Sequence, residues 1–182
     1  MALKDAIKEI HDTAEHHPLA QSMVNGHVPA AAYMDLLANL TIVYGELESK
    51  ARSTGCIAAD RLTALPRFKS MVEDLAELAA AHDVETTIYT QLLAEYGDSI
   101  WAQTQEGTMA HLYVHHMGDL FGGQILKRVL PGKCSRYDFD NRDGLIKEIR
   151  SHLTDTMAGE AIAAFEFVIG LYDHIAEKHN IH

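Results

Sequence analysis

Apolar side chains recur at steps of three and four residues along most of this chain, a spacing typical of α-helices with one buried face. The clearest case runs from Pro29 to Arg52, with apolar side chains at Tyr33, Leu36, Leu37, Leu40, Val43, Tyr44 and Leu47. No segment alternates apolar and polar residues as a half-buried strand does. Only 7% of the 182 residues are aromatic, and the wealth of Ala and Leu favours helix over sheet. We therefore expect one all-α domain, residues 1–182, with seven or eight helices.

Prolines, glycines and short polar runs divide this pattern into segments. Pro18 and the pair Asn25-Gly26 separate the first three segments, and Gly97-Asp98 marks a later stop. The predicted helices are 3–16, 19–24, 29–52, 66–82, 84–96, 99–130 with an interruption near Gly107, 143–156 and 159–178. The longest predicted loop, residues 131–144, follows the sixth of these helices.

Charge and cysteine content narrow the classes of function. The chain has 15 Lys and Arg against 26 Asp and Glu, a formal net charge of −11, which argues against binding to nucleic acid or anionic membranes. The two cysteines, Cys56 and Cys134, lie far apart and are typical of a reducing, cytoplasmic setting. No secretory signal pattern or membrane-spanning apolar stretch occurs. We expect a cytoplasmic monomer whose docking partner has a basic surface.

One histidine lies at the border between two faces of the first predicted helix. At about 100° per residue, His11 has an apolar stripe on one side and a charged stripe on the other. The apolar stripe contains Leu3, Ile7, Ile10 and Ala14, and the charged stripe contains Lys4, Lys8 and Glu15. This border suits an imidazole that binds the metal of a ligand with an apolar body and anionic edges, with Glu15 orienting the ring. Alternatively, His11 is an ordinary boundary residue and the lysines are solvated surface charges.

Three glycines interrupt another predicted helix in the stretch MGDLFGGQI, residues 117–125. Each glycine costs a helix about 1 kcal/mol relative to alanine, so a close approach to the backbone is the expected compensation. Gly118 and Gly122 are four residues apart and form a bare strip against which a flat, rigid ligand can lie. Asp119 lies beside this strip, and the paired glycines also permit a kink. Alternatively, two helices pack closely through small residues and Asp119 is exposed.

These segments resemble the haem oxygenase family. LYVHHMGDLFGGQILKR, residues 112–128, resembles the family's distal-helix signature G-D-L-x-G-G-Q with its apolar–Lys continuation. KDAIKEIHDTAE, residues 4–15, is similar to the proximal segment, in which a histidine follows two lysines and precedes a T-x-A-E-like run. LLANLTIVYGELESKA, residues 36–51, is similar to the second-helix pattern of an aromatic residue and a Leu-Glu pair. The proximal and distal segments occur in the family's order.

The resemblance implies an all-helical fold in which haem lies between a proximal helix and a glycine-kinked distal helix. It implies that His11 is the proximal ligand of the iron and that Glu15 is the acid near it. On the distal side, Gly118 and Gly122 are the backbone positions against the haem face, and Asp119 anchors a water network near bound oxygen. The remaining positions carried over are Lys4, Lys8 and Arg150 for the propionates, Lys147 more weakly, and Tyr113, Gly123 and Phe165 for the haem pocket.

The activity implied by the resemblance is oxidative cleavage of haem to biliverdin, carbon monoxide and ferrous iron. In that family haem b is both the substrate and the centre that activates O2. Water held by Asp119 supplies protons, and the glycine backbone leaves room for oxygen to bend toward the edge of the ring. Because the sequence has no flavin or iron–sulfur signature, electrons would come from an external donor such as ferredoxin or a flavoprotein reductase.

Three residues depart from the family pattern. His115 and His116 stand where many relatives carry a basic residue and an aromatic or apolar one, so a histidine here is a candidate second axial ligand or a change to the water network. Phe121 occupies an often small position and is expected to narrow the distal pocket.

Two alternatives to haem cleavage stay open. The first is a haem-binding or haem-sensing protein without turnover, which the retained Asp119 disfavours. The second is a non-haem metal oxidase, which lacks here the repeated carboxylate–histidine spacing of di-iron bundles. Its candidate ligands are Glu46, Glu48, His111, His115, His152 and Asp155.

Overall fold

The computed structural model describes residues 2–58 and 61–182, and within these ranges every regular element is a helix. The α-helices are α1 (Leu3–Ala6), α2 (Lys8–Glu15), α3 (Pro18–Val24), α4 (Ala30–Ser53), α5 (Phe68–Ala81), α6 (Thr90–Ala102), α7 (Gln105–Phe121), α8 (Gly123–Leu126), α9 (Arg142–Ser151) and α10 (Ala158–His179). Two 3-10 turns, Ser135–Tyr137 and Asp155–Met157, precede α9 and α10. The prediction of an all-α fold is confirmed. None of the described helices has the length and apolar character needed to cross a bilayer.

Helix α4 forms the centre of the core. Every residue from Ala32 to Thr41 is buried, and α5, α6, α7 and α10 pack around the helix. Pro29 occupies the N-cap position with φ −59°, which matches the fixed φ of proline. A helix that is apolar on nearly every side must be enclosed by others, so α4 sets the arrangement of its neighbours.

Helix α10 connects the two segments that carry the predicted site. It packs against α2 and α3, near the start of the chain, and against α7, in the second half of the chain. Helices α2 and α7 make their main contacts with α10 rather than with one another. The region between α2 and α7, bordered by α10, is called the slot below.

The predicted helix 84–96 was wrong in its first half. Residues 82–89 are irregular because two polar side chains of α4 bind their backbone. Asp35 Oδ1 accepts a hydrogen bond from Thr87 N at 2.6 Å, and Asn39 Oδ1 accepts one from Tyr89 N at 2.9 Å. The helix begins only at Thr90 and continues through Gly97, where a stop was predicted.

The predicted helix 99–130 was also wrong, because it spans parts of α6, α7 and α8. Gln103 is extended, with φ −70° and ψ 147°, and the Thr104 side chain caps α7 by accepting from Gly107 N at 3.2 Å. Gly107 is thus the third residue of α7 and not the interruption. Helix α7 ends at Phe121, so a discontinuity does lie at Gly122. A similar break at Ile7 divides the predicted helix 3–16 into α1 and α2.

Candidate functional site

His11 lies on α2 with 54% of its side chain exposed. Its ring meets the ring of Phe165, on α10, edge to face with centroids 5.7 Å apart. Its Nδ1 lies 3.8 Å from Glu15 Oε2 and 3.8 Å from Asp12 Oδ1. Both distances exceed a direct hydrogen bond but place two carboxylates where they can orient the imidazole through water. The structure therefore brings together His11, Glu15 and Phe165.

The two lysines of the proximal segment are both exposed. Lys8 Nζ pairs with Asp12 Oδ2 one turn later, and this hydrogen bond raises the pKa of Lys8 and lowers the pKa of Asp12. Lys4 lies one turn before Lys8, on α1. Both cations therefore border the surface around His11, and Lys8 already has a carboxylate partner there.

The three glycines near the end of α7 have three different surroundings. A β-carbon built on Gly118 has no neighbouring heavy atom within 4 Å outside the helix backbone, and Gly118 is exposed. One built on Gly122 lies 3.2 Å from the carbonyl oxygen of Gly118. One built on Gly123 collides with the ring of Tyr137, 2.9 Å from Cγ. Gly118 therefore borders open space, whereas Gly123 is buried against another part of the protein. The predicted contact of Gly123 with a ligand stays a prediction, and the contact that the structure shows is with Tyr137.

Asp119 is buried and bound on both carboxylate oxygens. The Tyr44 hydroxyl, on α4, donates to Oδ2 at 2.7 Å, and Arg136 Nη2 donates to Oδ1 at 2.7 Å. Burial raises the pKa of Tyr44, and the nearby Asp119 carboxylate raises it further, so the phenol remains a neutral donor. The alternative in which Asp119 is exposed is wrong.

Arg136 was missed by the sequence reasoning. It belongs to the 3-10 turn Ser135–Tyr137 within the predicted loop, and its guanidinium lies 5.3 Å from the ring centre of Tyr44 and 5.0 Å from that of Tyr137. Burial by itself disfavours the charge, but Asp119 and the surrounding phenols raise the pKa of Arg136 well above its ordinary value. An arginine in a loop without periodicity carries no signal that would place it beside Asp119.

Arg150 and Tyr113 lie at one end of this arrangement. Arg150, on α9, has its guanidinium 5.5 Å from the ring centre of Phe121. Burial raises the pKa of the half-buried Tyr113 on α7, and the Arg150 charge partly opposes this effect. The helices around the slot thus carry a histidine on α2, a bare backbone position and a buried carboxylate on α7, and cations at Lys4 on α1, Lys8 on α2 and Arg150 on α9. Such a set suits a flat ligand with a metal at its centre and anionic groups at its edge.

Comparison with known proteins identifies the family. Residues 1–170 match the family model described as Heme oxygenase. The chain belongs to the haem oxygenase family. Among its relatives, the heme oxygenase of Pyropia yezoensis is 30% identical over 152 residues, which is 76% of this chain and 64% of that protein. Human heme oxygenase 1 is 28% identical over 135 residues, 70% of this chain and 47% of that protein. The chain thus matches less than two thirds of the length of these relatives.

Solved structures of haem oxygenases share the fold. Heme oxygenase-1 from Synechocystis, solved in complex with heme, has a TM-score of 0.79 at 21% identity and covers 97% of this chain and 91% of that one. The enzyme from Leptospira interrogans has a TM-score of 0.79 at 24% identity and covers 96% of this chain and 100% of that one. At this identity the likeness establishes the haem oxygenase fold, and residue roles require separate argument.

The two histidines that depart from the haem oxygenase pattern point into the core. His115 Nε2 lies 2.9 Å from the Tyr96 hydroxyl, and burial, aided by neighbouring positive groups, holds its pKa well below the ordinary range. His116 is fully buried, with Nδ1 3.3 Å from Leu112 O and Nε2 3.7 Å from Glu48 Oε1. The expectation that either histidine is a second axial ligand is therefore not supported.

Phe121, the third departure, lies at the outer side of α7. Its ring is 45% exposed and lies beneath two guanidinium groups, with Arg142 at 5.1 Å and Arg150 at 5.5 Å from its centre. Arg142 Nε also donates to Leu120 O, next to the break at Gly122. Phe121 therefore packs against the cations of α9, a contact that the sequence reasoning did not foresee.

Within the described ranges, the candidate ligands of a non-haem metal oxidase do not form a di-metal site. His111 and His115 both bind the Tyr96 hydroxyl, at 2.7 and 2.9 Å, while Glu48 accepts from Phe68 N at 3.1 Å. Within residues 2–58 and 61–182, the one group of three side chains whose ligand atoms lie close enough to hold a metal ion is His11, Asp12 and Glu15. The candidate ligands of a di-metal centre are thus dispersed.

Proposed function

We propose that this chain binds haem in the slot between α2 and α7 and cleaves it oxidatively to biliverdin, carbon monoxide and ferrous iron. Membership of the haem oxygenase family supports the activity. The observation that carries the proposal is the open backbone at Gly118 directly beside the buried carboxylate of Asp119. Burial of this carboxylate is tolerated because Arg136 and Tyr44 bind it, and binding of haem alone gives no reason to keep a carboxylate at that point.

On the proximal side, His11 is the proposed ligand of the haem iron. The carboxylates of Glu15 and Asp12 lie near Nδ1, so Nε2 is the nitrogen proposed to bind the metal. Carboxylates behind a ligating imidazole fix its tautomer and raise its basicity. Phe165 supports the ring edge and supplies an apolar wall for the porphyrin.

On the distal side, the backbone of Gly118 and Gly122 leaves room for the porphyrin and for a small ligand on the iron. Asp119 holds water in the remaining space. Each of its oxygens accepts one hydrogen bond from the protein and keeps a lone pair for a second donor. Water held there by Asp119 would supply a proton to the reaction of the bound haem, in the manner of general acid catalysis.

The cations at the slot are proposed to bind the haem propionates. Arg150 is held against Phe121, and Lys4 and Lys8 approach from the proximal side. Lys8 exchanges its exposed partner Asp12 for a propionate, which costs little because surface ion pairs are weak.

Electrons come from an external donor such as ferredoxin or a flavoprotein reductase, because iron–sulfur clusters generally take four cysteine ligands and this sequence has two. We propose that residues 1–182 act as one domain, as a monomer in the cytoplasm.

The test is a titration of the purified protein with hemin, followed by a reductant in air. We expect a Soret band at one equivalent that decays into the spectrum of biliverdin. His11→Ala should lose the wild-type ferric spectrum and turnover, whereas His27→Ala, which changes an exposed histidine outside the slot, should behave as wild type. A Soret band that persists under reductant would show a haem binder without turnover, and an unchanged spectrum in His11→Ala would rule out His11 as the ligand.

A further inference from the structure

Arg136 and Asp119 form an ion pair directly behind the open strip of α7. Nη2 lies 2.7 Å from Oδ1, and the two side chains are only 4% and 7% exposed. Neither the distal-helix motif nor the proximal segment contains Arg136, which lies 17 residues after Asp119 in the chain.

The backbone of Arg136 is fixed by a single carboxylate. Asp74, a buried residue of α5, accepts hydrogen bonds from Ser135 N at 2.8 Å, from Arg136 N at 2.9 Å and from the Ser135 hydroxyl at 2.6 Å. Cys134, just before the turn, adopts the left-handed conformation with φ 51°. The turn is thus anchored at both its entry and its first two residues, so the guanidinium reaches Asp119 from a fixed origin.

One nitrogen of the guanidinium is buried without a hydrogen-bond partner among the described residues. Nη2 binds Asp119 and lies 3.4 Å from the Tyr44 hydroxyl, while the rings of Tyr44 and Tyr137 flank the charged plane. Nε is buried and has no hydrogen-bond partner among the described residues. Buried donors in folded proteins nearly always have a partner, from the protein or from ordered water.

A carboxylate held on both oxygens cannot turn. Tyr44 fixes Oδ2 and Arg136 fixes Oδ1, so the remaining lone pairs of Asp119 point in set directions. Charge-assisted hydrogen bonds of this kind are roughly twice as strong as neutral ones. Removing Arg136 would free the carboxylate to rotate and leave its charge without a compensating cation.

We propose that Arg136 is a positioning residue for the proposed haem cleavage: through Nη2 it holds the Asp119 carboxylate in one orientation, and its buried Nε is left for an ordered water. The inference rests on the proposed function, since Asp119 acts there on water in the slot. Arg136 acts through Asp119 and that water and does not itself touch haem.

The first test needs no haem. Unfolding equilibria of the wild type, Arg136→Met, Asp119→Asn and the double variant form a thermodynamic cycle. In the wild-type background, Arg136→Met should raise the unfolding equilibrium constant. In the Asp119→Asn background the same substitution should raise this constant by a factor at least tenfold smaller. Additive effects would show that the two side chains are not coupled and would overturn the proposal.

The second test uses the complex with ferric haem. Its absorption spectrum is titrated with alkali to find the pH at which the acid form converts to the alkaline form. A cation near the distal face favours the alkaline, more negative form, so Arg136→Met should raise the midpoint by about one pH unit, whereas Asp119→Asn should lower it. A purely structural role for Arg136 predicts no such opposite shifts.

Turnover is measured in parallel with hemin and reductant. Arg136→Met should lose about tenfold to a hundredfold in biliverdin formation, the range expected for a displaced positioning contact. Arg136→Lys keeps the charge but not the fixed fork, so its midpoint should stay near wild type while its turnover falls severalfold. Arg128→Met, which removes an exposed arginine after α8, should change neither.

If Arg136→Met does not fold, the turnover rate of Arg136→Lys tests the proposal instead. A wild-type rate in Arg136→Lys would overturn the role of the fork, and an unchanged midpoint and rate in a folded Arg136→Met would overturn the proposal as a whole. The failure of the proposed function looks different, because the wild type itself would then give no Soret band or no biliverdin.

Discussion

The two glycines Gly118 and Gly123 should respond to alanine in opposite directions. At Gly118 the added methyl meets no atom within 4 Å, and the residue lies inside α7 with right-handed helical geometry. Alanine at such a position stabilises a helix by about 0.5–1 kcal/mol. For a chain of this length that corresponds to a rise in Tm of about 2–4 °C. At Gly123 the methyl collides with Tyr137, and overpacking of this kind costs about 1–3 kcal/mol, so the Tm should fall.

Hemin binding and turnover should respond to the two substitutions in the opposite way from stability. In the proposed complex the haem lies against Gly118, so Gly118→Ala should weaken hemin binding and lower the rate of biliverdin formation at least tenfold although the protein is more stable. Gly123→Ala should keep the rate of whatever fraction remains folded. This divergence is the trade-off between stability and activity expected where a backbone is kept bare for a ligand.

The assays are thermal unfolding followed by circular dichroism without haem, and hemin titration with turnover. Gly97→Ala is the matched control, because Gly97 lies within α6 and its added methyl also meets no atom within 4 Å. It should raise the Tm and leave turnover unchanged. A lower Tm for Gly118→Ala, or wild-type hemin affinity and turnover in that variant, would refute the reasoning.

Two further predictions concern buried polar residues of α7. Asp119→Asn should bind hemin normally and lose about a hundredfold or more in biliverdin formation, and a wild-type rate would remove Asp119 from proton delivery. His115 has its pKa held well below the ordinary value by burial, so in acid the unfolded chain binds a proton that the folded chain does not. Stability from this residue is therefore complete above the unfolded pKa of about 6.5 and is lost as the pH falls below it, by up to about 1.4 kcal/mol per pH unit. Denaturant titrations between pH 5 and 7 should show a smaller slope for His115→Gln, and an identical slope would contradict a low folded pKa.

The sequence predicted helices well where periodicity alone decides them. The predictions 29–52 and 159–178 lie within a residue of the observed Ala30–Ser53 and Ala158–His179, because both helices bury long apolar faces. Prediction failed at 84–96, where Asp35 and Asn39 on another helix bind the backbone and hold it irregular. Such contacts join residues about 50 positions apart, so no local pattern reports them.

The same distinction applies to the site. His11 and Asp119 were predicted because a local pattern surrounds each of them, a two-faced helix for one and a glycine cluster for the other. Arg136 was not found, because its place depends on a turn that Asp74 anchors from 61 and 62 positions away. The contact of Gly123 with Tyr137 was not predicted for a related reason: a glycine pattern alone does not distinguish an approaching ligand from an approaching ring.

The six residues from Gly118 in α7 to Gly123 in α8 contain both uses of a bare backbone. At Gly118 the missing side chain leaves open space, whereas at Gly123 it admits Tyr137, whose neighbour Arg136 is the cation that pairs with Asp119. A side chain at Gly123 would push the turn Ser135–Tyr137 outward and with it the guanidinium. A buried ion pair adds little net stability compared with apolar residues of the same size, so stability alone does not explain why this pair is retained. The pair has a purpose if the carboxylate must be held in one orientation beside the slot, and Gly123 then supports Asp119 by admitting Tyr137 next to Arg136.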